Sequence, residues 1–103
     1  MTNWDNPTTN QLMRAILSLS DLDEAKRFFR DLLTERELRE LGNRWQAAQL
    51  LDAKVRYAEI EKQTGLSSAT VARIAKWLAG DLGGYRRMLD KTAHHHSDQI
   101  SRG

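Results

Sequence analysis

Between Ser67 and Lys76 the chain sets small hydrogen-bonding side chains and cations at helical spacing: Ser67, Ser68, Ala69, Thr70, Ala72, Arg73 and Lys76. Small residues at the front of a helix let it enter the major groove of duplex DNA, about 12 Å wide, where hydroxyls can bond base edges. Long cations beside them reach phosphate oxygens. The preceding segment adds Arg56, Tyr57, Ala58 and Lys62. On this pattern Thr70 and Ser68 are expected to face bases, and Lys76, Arg56 and Lys62 to meet phosphates.

Two short helices must position these groups, and residues 56–79 carry the pattern of a helix-turn-helix. Ile60 lies in a polar helix that ends at Thr64. Gly65 supplies the left-handed backbone of a tight helix end, because it has no Cβ. Leu66 follows as an apolar plug, and Ser67 is a good N-cap for the second helix. Val71 and Ile74 then fall on the same side as Ile60 and Leu66. Glu61 stands at an inner position where many such units carry alanine. A structural helix-glycine-helix corner has the same parts. The basic residues in and around this corner favour DNA.

Charge is distributed accordingly. Residues 1–53 hold seven Lys/Arg and nine Asp/Glu, whereas residues 54–91 hold eight against four. The positive half is the half with the helix-turn-helix, the polarity of a phosphate-facing surface. A chain of 103 residues, with one proline, six glycines and no cysteine, is expected to be one mostly helical domain without disulfides. Residues 1–7 lack the pattern of a secretory signal, and no apolar run approaches the ~20 residues of a membrane span. A cytoplasmic protein is expected.

Ahead of the motif, a polar lead (1–7) is expected to fray, and a first helix is expected over Thr9 to about Leu19. Asp21 with Glu24 resembles a capping box opening a second helix that carries Leu22, Ala25, Phe28, Phe29, Leu32 and Leu33. Thr34 with Glu37 is a cleaner capping box. It opens a long third helix to about Ala53, with Leu38, Leu41, Trp45, Ala48 and Leu51 on one face. Gly42, costly inside a helix by about 1 kcal/mol, suggests close packing there. After the loop of residues 80–84 a short helix is expected from Tyr85 to Lys91, then a flexible polar tail, 92–103. The domain is thus drawn as 1–91, all-α, with no sheet.

No residues mark an enzyme. There is no Gly-rich phosphate loop, no cysteine nucleophile and no paired His-Glu helix. Ser67 and Ser68 lack a neighbouring histidine, and no catalytic residue or cofactor is assigned. His94, His95 and His96 lie side by side in the tail, without a carboxylate or cysteine to complete a metal site. The two leading helices offer more apolar surface, through Leu12, Ile16, Phe28, Phe29, Leu32 and Leu33, than one small core readily absorbs. A two-fold homodimer would bury it and would set two recognition helices about 34 Å apart on a palindromic site.

Taken together, residues 30–91 resemble the tryptophan-repressor family, and the two helices before them do so less distinctly. The resemblance rests on Leu32-Leu33-Thr34-Glu35-Arg36-Glu37, Leu41-Gly42-Asn43-Arg44, Glu59-Ile60, Thr64-Gly65 and Ala69-Thr70-Val71-Ala72-Arg73. Gly83-Gly84-Tyr85 is similar to the branch of unknown ligand. The resemblance implies an all-helical, intertwined dimer of six helices per chain that binds operator DNA as a transcriptional regulator, a repressor. It also implies an amino-acid corepressor held between two arginines, which match Arg44 and Arg73. Members of the family that sense tryptophan have a glycine and a serine beyond the second arginine, where Ile74 and Trp77 stand here, which argues against tryptophan as effector. A helical protein-interaction module and the helix-turn-helix piece of a transposition system are the alternative functions.

Overall fold

The computed structural model describes the backbone of residues 3–102 and the side chains of residues 3–93. It is all-α. Six helices follow in order: α1 Pro7–Leu17, α2 Leu22–Leu32, α3 Glu35–Asp52, α4 Tyr57–Thr64, α5 Ser68–Leu78 and α6 Gly84–Arg102. No strand occurs among the described residues.

Local capping chemistry sets most boundaries. Asn6 caps α1: its side chain accepts from the Thr9 N–H at 2.9 Å, and its own N–H donates to Thr9 Oγ1 at 3.0 Å. Pro7 at the first helical position has its φ already set for a helix. The helix therefore starts two residues before the expected Thr9. The Asn6 side chain also donates to the Asn3 carbonyl at 2.6 Å, so residues 3–6 of the lead expected to fray are tied to the helix start. At α2, Asp21 accepts from the Glu24 N–H at 2.8 Å and Glu24 reaches back to the Ser20 N–H at 2.9 Å. At α3 the Thr34 and Glu37 bonds are reciprocal, at 2.9 and 3.1 Å. The Thr34 N–H, and then its hydroxyl, hold the Glu37 carboxyl below the ordinary carboxylate range.

Burial is uneven along the chain, which divides into two compact units, Met1–Leu38 and Arg39–Gly103. Neither α1 nor α2 holds a buried residue, while Ala47, Ala48, Ile60, Val71 and Ile74 form one fully buried cluster in the second unit. Trp45, Leu50, Leu51, Val55, Leu66 and Tyr85 pack around that cluster. Close packing is expected at Gly42, but within this chain a Cβ there would meet nothing within 4 Å.

The last helix is longer than expected. It runs past Lys91 to Arg102, through the segment read as a flexible tail. No proline or glycine interrupts residues 85–102, so nothing forces an earlier stop. The Thr92 hydroxyl donates to the Met88 carbonyl at 2.8 Å, within the continuing helix. The side chains of His94, His95 and His96 lie outside the described residues. Among the described residues no cluster of His, Cys, Asp or Glu could hold a metal, and no helix is long and apolar enough to cross a membrane.

Candidate nucleic-acid interface

α4 and α5 form the corner that the sequence predicts. Gly65 ends α4 at φ 74°, and its N–H donates to the Glu61 carbonyl at 2.8 Å. Thr64 is buried because it works inside the turn. Its hydroxyl donates to the Ile60 carbonyl at 2.7 Å and accepts from the Leu66 N–H at 3.2 Å. Ser67 caps α5, and its Oγ accepts from the Thr70 N–H at 3.2 Å. Ile60, Val71 and Ile74 are completely buried beneath these groups. Burying such aliphatic side chains contributes roughly 1.5–3 kcal/mol each, so this packing fixes the angle between the two helices.

The opposite side carries the predicted DNA-facing residues. Arg56, Tyr57, Ala58 and Lys62 are exposed on and before α4. Ser67, Ser68, Ala69, Ala72, Arg73 and Lys76 are exposed on α5, and Thr70 is half-buried. Val71 and Ile74 face in, so the small and polar residues between them necessarily face out. Among the described residues, Arg56, Lys62, Arg73 and Lys76 enter no ion pair.

Arg44 and Arg73 differ in environment. Arg44 pairs with Glu40 at 3.4 Å, and its Nε is buried without a hydrogen-bond partner. Arg73 is exposed. Glu59 accepts from the Gln63 side chain at 3.1 Å. Ile74 belongs to the core. Trp77 is 47 % exposed and lines an open apolar groove of about 610 Å³ with Trp45, Leu82, Tyr85 and Met88.

Several features of this region have no local sequence signal. Lys54 takes φ 66°, the left-handed conformation, in the turn between α3 and α4. The Val55 N–H donates to the Leu50 carbonyl and the Lys54 N–H to the Leu51 carbonyl, both at 3.0 Å. This pair of bonds is the glycine-type helix end, made here by a lysine. Tyr85 stacks on Trp45 with ring centroids 6.3 Å apart, and Arg86 bonds Asp52. Only the glycine pair before Tyr85 hints in the sequence that the start of α6 matters.

Among the described residues, six helices, a helix-turn-helix over a buried aliphatic core and an outer face of small polar residues define a helix-turn-helix protein of all-α class. The model of the Trp repressor protein family matches residues 7–93, and the chain belongs to that family. It is 37 % identical over 93 residues to the uncharacterized protein YerC of Bacillus subtilis (strain 168), covering 90 % of this chain and 89 % of that one. It is similar to the crystal structure of a TrpR-like protein from Eubacterium eligens ATCC 27750. That match has a TM-score of 0.81 and 37 % identity, over 87 % of this chain and 93 % of the other. A Trp repressor candidate from Staphylococcus aureus matches with a TM-score of 0.82 and 30 % identity, over 90 % and 96 % of the two chains. The family is one of DNA-binding regulators and not of enzymes.

Proposed function

We propose that the chain is a homodimeric, sequence-specific DNA-binding regulator of transcription, acting as a repressor in the cytoplasm through α4 and α5 on a palindromic operator. The observation that carries this is where the cations lie. Arg56, Lys62, Arg73 and Lys76 lie exposed on and beside the helix-turn-helix, around the exposed small side chains Ser68, Ala69 and Ala72, and like most cations of the chain they pair with no carboxylate among the described residues. Unpaired cations around small polar side chains are what binding to phosphates and base edges requires.

Dimerisation is supported by surface left uncovered in the single chain. Leu17 and Leu22 are 84 % and 71 % exposed, Leu32 and Leu41 are also exposed, and no residue of α1 or α2 is fully buried. Such apolar surface is characteristic of a partner interface. Free tryptophan is not the effector in this proposal, and the Arg44–Glu40 pair needs no ligand to hold it.

Selection of bound sequences from random duplex DNA by the purified protein tests the function. A palindrome with half-sites about 34 Å apart is expected. Failure to retain any duplex would leave a helical protein-interaction role instead. Light scattering at micromolar concentration should give about twice 11.8 kDa; a monomer that still selects a palindrome would remove the dimer.

A further inference from the structure

We infer that Arg86 is a positioning residue for DNA recognition: its bond to Asp52 lets the first turn of α6 set the orientation of the α3–α4 turn and hence of Arg56 and Tyr57. This deepens the DNA-binding proposal and rests on it. Among the described residues the Asp52–Arg86 bond is the one side-chain hydrogen bond between groups distant in sequence, 34 residues apart; the other side-chain bonds span five residues or fewer. Asp52 is the last residue of α3, where a carboxylate opposes the helix dipole. α3 has no basic residue in its own last turn, and the compensating cation comes from α6. Asp90, one turn further along α6, lies 3.7 Å from Arg86 Nε and helps to orient the guanidinium.

The neighbouring residue strengthens the grip. Tyr85 stacks on Trp45, seven residues before Asp52 on α3. Adjacent positions of α6 thus hold α3 at two points about 10 Å apart along its axis. From Asp52 only Ala53, Lys54 and Val55 lead to Arg56, whose carbonyl accepts the Glu59 and Ile60 N–H groups that start α4. Lys54 is pinned in its left-handed well between the two helices. With so few residues between them, a change at Asp52 has little slack before it reaches Arg56. Asp52, Lys54, Arg56, Tyr57 and Arg86 line one cleft, which places the pair beside the groups it would position.

The test uses Asp52→Asn, Arg86→Gln, Arg86→Lys and the exchange Asp52→Arg with Arg86→Asp, in the full chain. If Arg86 positions, Asp52→Asn and Arg86→Gln each weaken the selected operator about tenfold and random duplex hardly at all, and the exchange and Arg86→Lys recover part of the loss. If Arg86 instead touched phosphate, Asp52→Asn would tighten DNA binding by removing a negative charge, and the positioning role would be overturned. A second readout needs no DNA. Backbone amide exchange at residues 54–60 should quicken about tenfold in Asp52→Asn, with residues 71–74 unchanged. Unchanged exchange at residues 54–60 would overturn the inference even if the protein binds no DNA, and a wild-type chain that binds no DNA would refute the function separately.

Discussion

Ser67 and Thr70 are joined twice: Ser67 Oγ accepts the Thr70 N–H at 3.2 Å and donates to Thr70 Oγ1 at 3.0 Å. The second bond occupies an acceptor site of the Thr70 hydroxyl and leaves its own proton to donate outward. A donor on the front turn of α5 suits a base acceptor, such as purine N7 or a carbonyl oxygen. Thr70→Val should therefore erase preference at one base position, a loss of about 1–3 kcal/mol in discrimination, while binding to random duplex is kept. Thr70→Glu should abolish specific binding. An unchanged selected sequence in Thr70→Val would refute the docking assignment. Lys76→Ala should weaken all sequences alike and lower the salt slope by about one for each phosphate the lysine neutralises.

Much of this corner is legible in the sequence because its chemistry is local. Gly65, Ser67 and the Ile60–Val71–Ile74 core each follow from residues within a turn or two, and so do the caps at Asp21 and Thr34. The features that escape are non-local or break a residue preference. Asp52 and Arg86 meet across 34 residues, and no spacing rule links them. Lys54 occupies a conformation that the sequence would assign to glycine or asparagine. Gly42 suggests packing because its helix cost asks for a reason, but no neighbour within the chain supplies one. The end of α6 escapes because its polar composition resembles that of a loop, although no breaker is present.

Lys54→Gly should stabilise the fold. A left-handed residue with a Cβ costs roughly 1–2 kcal/mol, and glycine relieves that while giving back part in unfolded-chain entropy. A net gain of about 1 kcal/mol is expected at this helix end. Urea unfolding with an unchanged slope measures it. A loss of stability would mean that the lysine side chain holds the turn through interactions that outweigh the strain.

Glu37 makes the third helix sensitive to acid. Its carboxyl is held below its ordinary range by the Thr34 N–H and, secondarily, by the Thr34 hydroxyl. A carboxylate with a lowered pKa in the folded state adds stability that is fully present above its unfolded value, near 4.5, and is lost as pH falls through the folded one. Glu37→Gln keeps a capping side chain but removes this titration. The wild type should melt higher than Glu37→Gln at neutral pH, and the gap should close on acidification. A gap that persists at pH values well below the carboxylate range would refute the charge as its source. Thr34→Ala, which removes the cap itself, should cost about 1 kcal/mol at neutral pH.

Free tryptophan should not act as a corepressor of this chain. The resemblance supplies two arginines, Arg44 and Arg73, that could hold a carboxylate by paired hydrogen bonds. Arg44 is already paired with Glu40 at 3.4 Å. Ile74, which by the resemblance stands where the tryptophan-sensing members have a glycine, is fully buried in one cluster with Ile60 and Val71. Admitting an indole there would overpack a formed core, at a cost of typically 1–3 kcal/mol. Trp77 stands where a hydroxyl would hold the amine, and it lines the apolar groove beside Trp45 and Tyr85. An ammonium group set against that side chain gains no hydroxyl partner. Calorimetric titration with tryptophan should show no binding at micromolar strength, in the wild type or in Glu40→Gln, where Arg44 is released. Micromolar binding with a matching gain in operator affinity would establish tryptophan as the effector. Binding that appears only in Ile74→Gly with Trp77→Ser would locate the block in those two side chains.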